Sequence, residues 1–174
     1  MVSRRHFARS SLVCLALFVL AGCDGAQKAG PAAVKTIEDR FSIKVGDRTV
    51  QMQIAAEPAE MEKGLMFRQS MKRDEGMLFV YRSPQQMNFW MHNTDIALDI
   101  GYFDPAGELK EIYPMYPHDE KTVSSHSNNL RFALEMNQGW YRQAGIKPGA
   151  KIDIQAVKEA LRARGLNPEN MGIR

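Results

Sequence analysis

From Phe41 to Ile154 apolar residues recur at every second position more often than at any other spacing, a period that strands satisfy and helices do not. Phe41, Ile43 and Val45 alternate with Ser42 and Lys44, Gly46-Asp47 turns the chain, and Val50, Met52 and Ile54 alternate with Gln51 and Gln53. That pattern predicts a hairpin with one wet face. Met77 to Tyr81 is a continuous apolar run, expected as a buried strand. Further strands are expected over Asn88–His92, Ile96–Phe103, Glu108–Tyr113 and Lys151–Ile154. Another pairs Leu130, Phe132, Leu134 and Met136 against Arg131, Ala133, Glu135 and Asn137. Helical signals are few. Glu57–Lys63 has Pro58 early and Gly64 as its stop, Gln138–Ala144 suits a helical turn, and Ala156–Arg164 ends at Gly165. Tyr116–Asn128 reads as a polar, irregular loop. Seven to eight short strands with one or two short helices and a C-terminal helix imply a mainly β domain, a compact sandwich or barrel over residues 41–165. Residues 166–174 are expected to fray.

The N-terminus is of a different kind. Arg4, Arg5 and Arg9 precede the apolar run Leu12–Leu20, which is too short to span a bilayer. Leu20-Ala21-Gly22-Cys23 follows and resembles the lipobox of bacterial lipoproteins. The resemblance implies removal of residues 1–22 and lipid attachment at Cys23, with a flexible tether over residues 23–40. The expected location is the periplasmic side of the cell envelope, and Asp24 resembles an inner-membrane retention signal. Ser3-Arg4-Arg5-His6-Phe7 also resembles a twin-arginine export motif, leaving two export routes open. Processing changes the charge argument. Of 23 basic residues three leave with the signal, so 20 remain against 20 acidic ones. A formally neutral domain offers no compositional case for nucleic-acid binding. Cys14 leaves as well, and Cys23 is blocked by lipid, so the domain has no disulfide, thiol nucleophile or thiolate ligand.

An ordered set of segments runs through the domain: Gly64-Leu65-Met66-Phe67-Arg68, Asp74-Glu75-Gly76-Met77-Leu78-Phe79, Phe89-Trp90-Met91-His92-Asn93-Thr94, Leu98-Asp99-Ile100, Leu134-Glu135 and Gly145-Ile146. Together they resemble a bacterial and archaeal family known only as domain of unknown function 192, across roughly residues 41–155. The resemblance implies a compact fold of jelly-roll type and no established activity. Family members often carry Lys where this chain has His92, so no role for His92 is inherited.

Face sorting supplies the candidate site. Asn88, Trp90 and His92 share one face of their strand. Asp99 lies between Ala97 and Gly101, whose small side chains leave room above the sheet. The candidate ligand contacts are Arg68, Trp90, His92, Asn93, Asp99 and Glu135. Trp90 would stack, Asp99 accept, Arg68 supply a cation and His92 a switchable donor. Bland alternatives stand beside these roles: Asp99 bracing the backbone of Asn93 or Thr94, and Arg68 paired with Asp74, Glu75 or Glu135.

The chain reads as a non-catalytic binding domain for a small ligand, with envelope glycans a natural class, or for an envelope protein partner; no cofactor is called for. A hydrolase would use His92 with Asp99 or Asp95, but no nucleophile elbow, phosphate loop or HExxH helix accompanies them. Ser124, Ser125 and Ser127 flank His126 too closely in sequence to suggest a catalytic geometry. A metal protein would draw copper(I) to Met61, Met66, Met71, Met87, Met91 and His92, or a divalent ion to His118, Asp119, Glu120 and His126.

Overall fold

The computed structural model describes residues 33–173. The expected signal peptide, Cys23 and most of the expected tether lie outside the described residues. The fold is mainly β, with eight strands in two sheets, three short helices and no closed barrel among the described residues. β1 (Phe41–Val45) and β2 (Arg48–Ala55) form the expected hairpin. α1 (Pro58–Lys63) then carries the chain to β3 (Glu75–Gln85), which runs parallel to β2. β4 (Asn88–Phe89) is brief, β5 (Leu98–Phe103) and β6 (Leu109–Met115) form a second hairpin, and β7 (Val123–Ser124) pairs with β4. β8 (Leu130–Asn137) inserts between β3 and β5, giving the order β1-β2-β3-β8-β5-β6. α2 (Trp140–Ala144) and α3 (Ile154–Ala163) follow.

The alternation within the strands decides which side chains meet. Leu78 and Val80 of β3 and Leu134 and Met136 of β8 face α2, α3 and the C-terminal segment, forming one core with Trp140, Val157 and Leu161. Met77, Phe79, Ala133, Ile100 and Tyr102 face the other way, under a cover of Leu65, Phe89 and Met91. The central strands β5 and β8 are therefore buried on both faces.

Several expectations need correcting. Lys151–Ile154 is not a strand; it makes only isolated bridges, Ile152 to Val45 and Lys151 to Glu108. The reason is Asp153, whose Oδ1 accepts the Ala156 N–H at 3.0 Å and starts α3 at Ile154. The stretch Asn88–His92 is a strand for two residues only, and the polar loop after Tyr116 contains β7. Residues 166–173 do not fray: Met171 and Ile173 are buried in the first core. The end of the expected tether is also laid down, with the Ile37 carbonyl accepting Gln53 Nε2 at 2.8 Å.

Candidate functional site

Glu135 occupies the centre of β8, in register with Met77 of β3 and Ile100 of β5. That position aims its side chain into the second core, where its partners across the sheet, Met77 and Ile100, are apolar. The cover above it is incomplete and leaves a cavity of about 340 Å³. Glu135 lies at the base, with Phe79, Tyr81 and Phe89 as walls and Trp90, Met66 and Lys63 toward the opening. Phe79 and Phe89 meet edge to face, ring centres 4.9 Å apart. Glu135 is 4% exposed and makes no hydrogen bond among the described residues. Burial pushes its pKa up to about 8, so at neutral pH the empty site holds an uncharged carboxylic acid. Burial, and secondarily the charge of Glu135, pushes the Tyr81 phenol up to about 12. The Tyr102 hydroxyl, raised by burial, donates to the Val123 carbonyl at 3.0 Å.

The opening is braced by the loops around it. Trp90, 50% exposed, stacks on His92 with ring centres 4.9 Å apart. His92 Nδ1 lies 2.7 Å from Glu120 Oε1, and His118 Nε2 lies 2.9 Å from Asp95 Oδ1. Two His–carboxylate contacts thus strap the segment Tyr116–Glu120 to the turn after Met91. Asn93 adopts a left-handed backbone (φ 51°), and its carbonyl accepts the Phe67 N–H at 2.7 Å. This holds the Leu65-Met66-Phe67 loop in place. Trp90, His92 and Asn93 also line an adjoining recess with Met66 and Lys63.

The six sequence candidates do not converge. Trp90 and Glu135 share the cavity, while His92 and Asn93 stand in the recess beside it. Asp99 lies on the opposite face of the sheet, where its Oδ2 accepts the Gly139 N–H at 2.7 Å ahead of α2. The bracing role is therefore real, but its partner is Gly139 rather than Asn93 or Thr94. The room expected over Gly101 is filled by Tyr141: a Cβ on Gly101 would sit 2.4 Å from its hydroxyl oxygen. Arg68 donates to Gln53 Oε1 at 2.6 Å instead of pairing with an acid, and lines a separate groove with Phe67 and Glu60. Sequence reasoning missed Phe79, Tyr81 and Phe89 as site residues. The alternation Met77, Phe79, Tyr81 was the available signal, because it sends all three to the face that Glu135 shares.

Several of the histidines and serines weighed for catalysis or a divalent metal have structural partners. His92 is held by Glu120, not by Asp99 or Asp95. Ser125 Oγ donates to the Ser127 carbonyl, and His126 Nδ1 contacts the Tyr113 hydroxyl at 2.6 Å. Glu111 accepts the N–H groups of His126 and Ser127, which outweigh burial and lower its pKa. Among the described residues no three His, Cys, Asp or Glu side chains gather for a metal.

No curated protein matches the chain. Solved structures do, and two of them illustrate the likeness. A candidate transcription regulator from Sinorhizobium meliloti 1021 is 27% identical, with a TM-score of 0.63 over 66% of this chain and 92% of that one. A protein of unknown function from Novosphingobium aromaticivorans DSM 12444 is 33% identical, with a TM-score of 0.61 over 64% of this chain and 83% of that one. The profile of one family matches residues 41–154, which carry both sheets and the cavity. On that match the chain belongs to the family DUF192, described as Uncharacterized ACR, COG1430.

Proposed function

We propose that this protein is a non-catalytic binding domain for a small molecule, which enters between α1 and Trp90 and reaches Glu135. One observation carries the reading: a carboxyl group with no hydrogen-bond partner among the described residues lies at the base of a cavity walled by aromatic rings. Ligand pockets are largely apolar with a few placed polar groups, and a buried acid at the base of an aromatic-lined cavity fits that pattern. The volume, about 340 Å³, suits a molecule of few heavy atoms. The Leu20-Ala21-Gly22-Cys23 sequence supports a membrane-tethered form of the same domain, held by lipid on Cys23 in the cell envelope.

A fragment library screened against the purified full chain by ligand-observed NMR tests the binding role. Hits are expected to shift the indole resonance of Trp90 and leave that of Trp140, on the other side of the sheet, in place. A library in which no fragment perturbs Trp90 would end the reading. Intact-mass measurement of membrane-extracted protein tests the tether, with acyl chains expected on a chain that starts at Cys23.

A further inference from the structure

The identity of the ligand can be narrowed from what the cavity offers and what it lacks. Its one deeply buried acid is Glu135, and the Tyr81 hydroxyl is the neutral polar group nearest in kind, half-buried on the same wall. Asn88 Oδ1 already accepts the Ser124 hydroxyl at 2.7 Å, and the Thr94 hydroxyl donates to the His92 carbonyl at 3.1 Å. A sugar would need several free donors and acceptors around its ring, whereas the buried part of the lining beside Glu135 is Leu65, Phe79 and Phe89, with Thr94 already engaged. An anion would face a carboxyl group at the base. The rings of Phe79, Tyr81, Phe89 and Trp90 line it together with Met61, Leu65 and Met66, and an aromatic π face attracts positive charge and repels negative. Among the described residues no cation pairs with Glu135: Lys63 belongs to the exposed rim, next to Glu62, and burial is the cause of the raised Glu135 pKa.

We propose that the cavity takes a small organic cation, an amine or a quaternary ammonium, with Glu135 as its counter-charge and the aromatic walls around it. The proposal rests on the binding role above and gives it a ligand class. It also gives Glu135 a reason to be ionisable at all, since a glutamine or leucine would sit there at lower cost to the empty protein.

Binding of a cation is then coupled to a proton. Empty, Glu135 is uncharged below its pKa of about 8. A bound cation favours the carboxylate, so the proton leaves as the ligand enters. Affinity for a permanently charged ligand rises with pH by about tenfold per unit up to roughly pH 7 and levels off above about pH 8. Of the other groups near Glu135, Tyr81 on β3, Tyr102 on β5 and Tyr141 on α2 all have raised pKa values and stay uncharged through that range. Lys63 and Glu62 face the opening from α1. His92, stacked on Trp90 and bonded to Glu120, stands in the recess beside the cavity. Glu135→Gln leaves it untouched, which separates the two.

The test is calorimetric titration of the full chain in a non-ionic detergent with two matched pairs: choline against dimethylbutanol, its uncharged carbon isostere, and benzylamine against benzyl alcohol. The expected result is at least about tenfold tighter binding of one cation than of its neutral partner. Near pH 6.5, buffers of different ionisation enthalpy should show release of about one proton for choline. Glu135→Gln should abolish both the preference and the proton release while still unfolding cooperatively. Neutral partners that bind as well as the cations would overturn the ligand class and leave the binding role standing. Failure of both cations at millimolar concentration, with hits among uncharged fragments, overturns it in the same way. A proton release that survives Glu135→Gln would assign the coupling to His92 and remove Glu135 as counter-charge.

Discussion

A carboxylic acid surrounded by Met77, Phe79 and Ile100 works against the fold that holds it. Leaving such a group without a partner costs about 1–3 kcal/mol relative to an apolar side chain of similar size. Glu135→Leu is therefore expected to stabilise the empty protein by about that amount, read as a raised midpoint in urea, and to abolish cation binding. The acid also makes stability depend on pH with an unusual sign. Its native pKa, about 8, stands above the ordinary value of 4.5, so the folded chain keeps a proton that the unfolded chain releases. The contribution is whole below pH 4.5, falls through the interval between, and is lost above about pH 8. Within that interval the parent should lose up to about 1.4 kcal/mol per pH unit more than Glu135→Gln, measured by urea unfolding at stepped pH. Parallel profiles would mean that Glu135 is ionised in the native state. The residue was visible in the sequence as part of a Leu-Glu pair, and period-two alternation set it on the nominally wet side of its strand. What alternation does not carry is that a second layer covers that side, because Leu65, Phe89 and Met91 of that cover lie more than 40 positions earlier.

Elements hold the cavity by close contacts that explain parts of the shared sequence pattern. Gly76, in the Asp-Glu-Gly-Met-Leu-Phe segment, lies where β3 meets β8: an added Cβ would stand 2.4 Å from Met136 Sδ and 2.6 Å from the Glu135 carbonyl oxygen. The thioether can swing aside, but the carbonyl belongs to the strand ladder and cannot. Gly76→Ala is expected to cost about 1–3 kcal/mol and to weaken ligand binding, because the strain falls on the backbone that aims Glu135. Thermal unfolding and the choline titration read the two effects separately. α1, which forms one side of the opening, is tied down from afar. The Arg164 side chain, 6% exposed, contacts the Glu60 carboxylate and the Ile54 carbonyl, and this pairing with the Ala56 and Glu57 N–H groups outweighs burial to lower the Glu60 pKa. Arg164→Lys keeps the charge but not the two-pronged grip, so a loss of about 2–4 kcal/mol is expected in denaturant unfolding. α1 itself was legible, since Pro58 and Gly64 bracket it; the structure adds the Glu60 carboxylate accepting the Glu57 N–H at 3.1 Å. Its link to Arg164 was not, for a contact between positions 104 residues apart leaves no local signal.

At the scale of the whole molecule, one six-stranded sheet carries two unlike covers. The helical side packs tightly, with Tyr141 against Gly101 and Trp140 Nε1 donating to Asp74 at 2.9 Å, while the side with β4 and β7 leaves the cavity. Strand count and mainly β character followed from local periodicity. The two-sided burial did not, because it depends on β8, late in the chain, inserting between β3 and β5. The C-terminal segment shows the consequence. After Gly165 the residues look like a tail, yet Met171 and Ile173 close the first core and the Met171 carbonyl accepts Arg131 Nη1 at 3.1 Å. Arg131 is itself buried on the central strand, and its other donor, Nη2, reaches the Arg82 carbonyl at 3.0 Å. Ending the chain at Gly165 removes two buried apolar side chains, each worth about 1.5–3 kcal/mol, and strips a buried guanidinium of one acceptor. The truncated protein is expected to lose at least about 3 kcal/mol in urea unfolding, a large share of the stability of a domain this size. Because Arg131 lies four residues before Glu135 on the same strand, the truncation should also raise hydrogen exchange at the β8 amides around the cavity. Unchanged β8 exchange together with unchanged stability would show that the segment merely rests on the core it covers.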